Sequence, residues 1–268
     1  MSFSVEEHVI YQITNAPIRE YPYPHIYVEP VFPTDFYAEL RRNWPNATHL
    51  VSLASTGRVP KGAYPERFIM PVKAAALESL PTESRAFWTD LEAWMLKERF
   101  AAAVLDKFAP YIRQRFGPAL NQASFSPELM VVRDHTNYKL GPHTDAAHKL
   151  ISLLFYCPDD DSTKHLGTSI HTPLDPTFRC EGGPFHYPHE RFTKVATMEF
   201  RPNALFAFFK TDNSFHGVDP IHDADVLRDL MLYDIRVSIA TDEPSPNDGK
   251  SSSSIGAAML KRILRLQK

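Results

Sequence analysis

The sequence predicts a mainly β fold of the α+β kind, a sandwich or jelly roll with helices packed on one sheet. Three observations carry this expectation. Seven apolar runs rich in β-branched and aromatic residues follow one another between residues 123 and 240, separated by short turn clusters. They do not alternate with helical segments, so parallel βαβ units are disfavoured. The chain also carries 18 Phe, and 23 Pro against 10 Gly, a composition suited to short strands and fixed turns.

Residues 8–31 alternate apolar residues with prolines and end in YVEPVFP, which reads as one or two strands leading into a helix over 34–43. Thr34 is the expected cap, and Phe36, Leu40 and Trp44 share one face. Residues 47–73 read as short strands, HLVSL and RFIMPV, joined by a loop from Gly57 to Gly62. From Pro81 to Phe116 the period becomes helical, with Phe87, Leu91, Trp94 and Met95, then Phe100, Val104, Leu105 and Phe108. Pro110 kinks or divides this stretch and Gly117–Pro118 closes it.

The strand runs follow: ELMVVRDH, KLISLLFYC, TSIHTP, KVATMEF, NALFAFFK, SFHGVD and VLRDLMLYDIRVSI. Residues 158–194, polar and rich in Pro and His, read as a long insertion and as a candidate substrate lid hinged at the GGP turn, 182–184. Its His165, His171, His186 and His189 lack regular ligand spacing and read as surface or turn residues. The organisation expected is one domain over 1–240, with N-terminal strands and supporting helices over 1–122 and a jelly-roll core over 123–240. A linker, 241–254, leads to an amphipathic helix, 255–268, expected to dock on the domain or on a second copy, a route to a homo-oligomer.

Hydrophobic residues make up 43% and charged residues 23%, which argues against disorder. A net charge of −3 offers no basic excess for nucleic acid. The start, MSFSVEEHVIYQ, lacks a basic region followed by an apolar one, and no run approaches a membrane span. Two cysteines, Cys157 and Cys180, suit a reduced pair and a cytoplasmic protein.

The stretch KLGPHTDAAHKLISLLFY sets His143 and Asp145 at a turn before an apolar strand. Residues two apart on extended backbone face the same side. Chance alone supplies roughly one His-x-Asp in a chain of this composition, so the tripeptide decides nothing by itself. A third donor, His216, follows the apolar run NALFAFFK. In a jelly roll distant strands become neighbours, so the three could share a cation, and two imidazoles with one carboxylate leave the open positions suited to non-haem Fe(II) chemistry. Arg228 falls on the side of its strand shared by Leu230 and Leu232, where a guanidinium is costly to bury without an anion. A carboxylate would satisfy it through paired hydrogen bonds.

Together GPHTD, LISLLFY, RPNALFAFFKTDNSFHGVDPI and Arg228, with the N-terminal YVEPVFPTDFYAEL, resemble the Fe(II)/2-oxoglutarate-dependent dioxygenases, in particular the bacterial prolyl-4-hydroxylase-like branch. The resemblance covers roughly residues 123–240. It implies a double-stranded β-helix of cupin-like type, iron bound by His143, Asp145 and His216 as the catalytic centre, and Arg228 holding the far carboxylate of 2-oxoglutarate. It also implies consumption of O2, release of succinate and CO2, and hydroxylation of a small-molecule, biosynthetic substrate. A tyrosine of that branch is replaced here by Arg133, with Tyr138 as the alternative source of the phenol; both are candidate cofactor-binding residues. Lys149 is a further candidate for the carboxylate, and Arg236 a weaker one. A non-redox cupin-like isomerase or hydrolase and a metal-free binding module stay open at this point.

Overall fold

The structure, a computed structural model, describes residues 4–183 and 186–239. Helices dominate the first half: α1 (Val5–Asn15), α2 (Thr34–Arg42), α3 (Ala74–Leu77), α4 (Thr82–Met95), α5 (Glu98–Lys107) and α6 (Ala109–Phe116). Three short strands lie among them, β1 (His25–Val28), β2 (Val51–Ser52) and β3 (Arg67–Pro71). The second half is β4 (Ala123–His135), β5 (Leu140–His143), β6 (Lys149–Tyr156), β7 (Thr168–Pro173), β8 (Phe192–Met198), β9 (Ala204–Phe209), β10 (His216–Val218) and β11 (Leu227–Ile239).

All seven expected strands form, and the expectations fail mainly at the N-terminus. Residues 5–15 are helix rather than strand because Ser4 and Glu7 make a reciprocal capping box, each side chain accepting the other's backbone N–H. Val9 and Ile13 then fall on one buried face. In α2, Thr34 is already helical and Pro33 holds the cap position without a side-chain bond. Pro110 begins α6 rather than kinking a longer helix, and Gly117 ends it with φ of +49°. The expected insertion 158–194 contains a strand of the fold, β7, and two short 3-10 turns, Asp161–Leu166 ahead of it and His189–Arg191 ahead of β8. The expected linker and terminal helix, and with them the proposed route to an oligomer, lie outside the described residues.

The strands form two antiparallel sheets, β1-β9-β6-β11-β4-β3-β2 and β5-β10-β7-β8. Alternation sorts the large sheet's side chains into two cores. Leu205, Ala207 and Phe209 join the helices, with Trp88, Phe100, Val104 and Phe108. Ala204, Phe206 and Phe208 face the other way and meet Ile170, Met198 and Val218 of the small sheet. This is the expected jelly roll with helices on one face, and the second core surrounds the cavity described below.

The longest ladder pairs β4 with β11 over their full lengths, placing Arg228 opposite Asp134 and Asp229 opposite Arg133. Each opposite pair closes as an ion pair, and alternation sends the two pairs to opposite faces.

Candidate metal centre

The small sheet builds the first half of the site. His143 at the end of β5 pairs directly with His216 at the start of β10, so both rings project to one face with centres 4.4 Å apart. Asp145, two positions past His143, completes the group: the ligand atoms of His143, Asp145 and His216 all lie within 4.8 Å of one another.

Each imidazole is oriented by its own backbone. Nδ1 of His143 lies 3.0 Å from the Gly141 carbonyl, and Nδ1 of His216 lies 3.0 Å from that of Ser214. A carbonyl only accepts, so each Nδ1 carries the proton and each Nε2 keeps its lone pair for a cation. Burial keeps the rings neutral: it pushes His143 down to about 3, aided by the nearby His216, and lowers His216 as well. Burial alone would raise the Asp145 carboxyl, but Lys149 and the two imidazoles hold it below the usual carboxylate range.

Behind Asp145 stands a second carboxylate. Ser152 Oγ is 2.8 Å from Asp145 Oδ2 and 2.8 Å from Asp234 Oδ1, and Lys149 Nζ is 3.5 Å from Asp145 Oδ1 and 2.9 Å from Asp234 Oδ2. Formal charges here sum to −1, two carboxylates against one ammonium.

The far end of the same cavity has the opposite sign. Arg228 is fully buried. Its Nε donates to the Leu166 carbonyl at 2.7 Å and its Nη1 to Asp134 Oδ2 at 2.9 Å. Its Nη2 makes only a long contact, 3.4 Å to Thr168 Oγ1, so this nitrogen remains to meet a ligand. Arg67 grips the same Asp134 through two bonds of 2.6 and 2.9 Å. Two guanidiniums against one carboxylate leave a net +1.

Both ends line one cavity of about 80 Å³, with His143, Asp145 and His216 at one end and Arg67, Thr168 and Arg228 at the other. It adjoins a larger cleft of about 640 Å³ that shares His143, Asp145 and Lys149 and is walled by Arg58, Pro60, Tyr64 and Gly183. The expected lid region therefore reaches this cleft through Gly183, opposite the Gly57–Tyr64 loop. Gly182, at φ of +113°, passes so close that a Cβ there would lie 1.9 Å from the Asp145 carbonyl oxygen.

The other residues expected at the site lie differently. Arg133 is on the helix-bearing face of the sheet, bound to Asp229 at 2.6 and 2.9 Å, because it alternates with Val132 and Asp134; it does not reach the cavity. Tyr138 packs its ring against Arg67, whose guanidinium carbon is 4.4 Å from the ring centre. Its buried hydroxyl has no partner among the described residues. Lys149 belongs to the acidic end, and Arg236 pairs with Glu128 at the sheet margin.

Arg67, Asp134, Ser152 and Asp234 escaped the sequence reading. For the two acids a signal existed, since each sits in an apolar strand run where an unpaired carboxylate would be costly. Arg67 and Ser152 had none, because their partners are remote in the chain.

No protein-family model matches the chain, and no curated protein matches it in sequence. Solved structures do. The non-heme alpha ketoglutarate dependent epimerase SnoN from nogalamycin biosynthesis aligns over 92% of this chain and 89% of its own, at 14% identity and a TM-score of 0.51. Its complex with Fe3+, alpha ketoglutarate and nogalamycin RO aligns over 92% of both chains, at the same identity and score. This chain shares their fold. A Pseudomonas putida prolyl-4-hydroxylase also aligns, over 85% of this chain and 96% of its own, at 11% identity and a TM-score of 0.46. At 14% identity the likeness to SnoN establishes the fold alone, and the reaction must be argued from the site.

Proposed function

We propose that this chain is an Fe(II)- and 2-oxoglutarate-dependent oxygenase acting on a small molecule. The observation that carries the reading is the separation of charge along one cavity, −1 around Asp145 and +1 around Arg228. A divalent cation suits the first end and a carboxylate the second. Adding a dication and a dianion together leaves the buried total unchanged, which a low-dielectric interior favours. The epimerase SnoN, of the same fold, holds Fe3+ and alpha ketoglutarate in its complex, which supports the pairing.

His143, Asp145 and His216 would hold the metal, with facing positions left for cosubstrate and dioxygen. Arg228 Nη2 and Arg67 would take the far carboxylate, and the unpartnered hydroxyl of Tyr138 is a further donor beside them. Iron bound there supplies oxidation by dioxygen coupled to conversion of 2-oxoglutarate into succinate and CO2. The chain's own part is to fix the imidazole tautomers, keep Asp145 ionised, orient the cosubstrate and exclude water from the inner cavity. The outer cleft, open beside the metal ligands, would receive a compact organic substrate. Hydroxylation is the proposed outcome, the biosynthetic role a part of the same proposal.

Anaerobic addition of Fe(II) and 2-oxoglutarate should produce a visible charge-transfer band, and admission of air should produce succinate. A folded protein that shows neither overturns the proposal. Arg228→Ala should abolish the turnover that requires 2-oxoglutarate; product formation that survives it without 2-oxoglutarate would point to a non-redox metalloenzyme. Product mass then separates hydroxylation, which adds one oxygen atom, from desaturation or epimerisation.

A further inference from the structure

A second group of two imidazoles and a carboxylate lies apart from the cavity. The ligand atoms of His171, His189 and Asp219 all fall within 4.8 Å of one another. His171 is in β7, next to Ile170, which faces His216 across the ladder, and a register shift between Ile170 and His171 breaks the regular pairing with β8 at that point. Asp219 follows Val218, a cavity-lining residue, and so turns away from the cavity. His189 comes from the short turn just before β8. Three separate parts of the chain thus converge on one spot.

His171 is only 2% exposed, and its Nε2 is buried without a hydrogen-bond partner among the described residues. A buried ring nitrogen left bare is costly, and close-packed carbon does not relieve it. The same ring offers a nitrogen within ligand reach of His189 and Asp219, with the His189 ring edge-on, centres 5.7 Å apart. Asp219 Oδ2 accepts from Lys194 Nζ at 2.8 Å and from Ser169 Oγ at 3.3 Å, so a cation would be met through Oδ1.

We propose that His171, His189 and Asp219 form a second cation site, for a zinc-type divalent ion, that ties the segment ahead of β8 to β7 and β10. Two nitrogen donors and one oxygen suit zinc, cobalt or nickel and disfavour calcium and magnesium, which take oxygen ligands. The tied segment reaches the metal centre: Gly182 abuts Asp145, and the His186 ring lies 5.3 Å from that of His143. Lys194 competes with the ion for Asp219, and its exposed side chain is free to withdraw.

Cobalt(II) is the probe, because nitrogen- and oxygen-ligated cobalt gives a visible spectrum that reports its geometry. The Asp145→Ala/His216→Ala double variant, lacking the first site, should still bind one cobalt or zinc ion per chain by equilibrium dialysis. Adding His189→Ala, an exposed position where folding is safe, should weaken that binding at least about tenfold. Lys194→Gln should tighten it. In the wild-type chain two ions should bind, falling to one with His189→Ala. If the double variant binds no ion, or if His189→Ala leaves its binding unchanged, the second site is overturned. That result leaves the oxygenase reading intact, since the charge-transfer band tests the first site alone.

Discussion

The two clusters of two imidazoles and one carboxylate use the same donors in different surroundings. In the first, each histidine is oriented by a carbonyl two residues back, the carboxylate is backed by Ser152, Lys149 and Asp234, and all three donors face a cavity. In the second, His189 is exposed, a lysine already occupies the carboxylate, and the deepest nitrogen stands bare. Donor identity alone therefore does not distinguish a reactive centre from a structural tie. What surrounds the donors does, because surroundings decide tautomer, charge and open coordination positions.

The largest break in that comparison comes from the first cluster itself. His216→Ala should abolish both the charge-transfer band and succinate formation, a loss of at least about a thousandfold in turnover, whereas His189→Ala should retain the band. Succinate assay and anaerobic spectra check both halves.

Next in size, Arg228→Ala should destabilise the fold by about 1–3 kcal/mol, since Asp134 keeps its two bonds to Arg67 but the buried Leu166 carbonyl loses its donor and the ladder one of its two ion pairs. Urea denaturation measures this; a loss below about 1 kcal/mol would mean that the buried network is not holding the sheet. Asp234→Asn sharpens the comparison further. It removes the charge behind Asp145 while keeping the shape, so iron affinity at the first cluster should fall about 10–100-fold and cobalt binding at the second should not move.

The smallest effect concerns how far a carboxylate must be buried before its partners matter, the property that separates Asp145 from Asp219. Burial alone would raise Glu128, but Arg58 and Arg236 hold it down to about 2, below its unfolded value near 4.5. Its contribution is therefore complete above pH 4.5 and is lost as pH falls towards 2. With solvent screening at this half-open site, Glu128→Gln should cost about 1 kcal/mol at pH 7, and the difference from wild type should close in acid. Thermal melts across that pH range check the sign.

Much of this was legible in the chain because strand patterning is local. Residues 204–209 announce themselves by composition, and all seven core strands appear where their apolar runs lie. His143, Asp145 and His216 could be paired by resemblance, but their convergence depends on β5 meeting β10, which no local pattern encodes. The helix at residues 5–15 was hidden because nearby prolines suggested extended chain, although the Ser4–Glu7 capping box was in plain sight. Arg133 misled because its face depends on β4 register, fixed by partners about a hundred positions away. His171 passed for a turn residue because burial of a short strand by a later loop leaves no mark in the strand itself.

The charge order along β4 and β11 does something beyond closing two ion pairs. Sliding β11 one residue in one direction would set Arg228 against Arg133; sliding it the other way would set Asp229 against Asp134. Either misalignment confronts like charges inside a water-poor wall and turns each side chain toward the wrong layer. Two adjacent dipeptides, Arg-Asp on each strand, thus act as an alignment code for thirteen rungs, and the pocket geometry inherits its accuracy from that code.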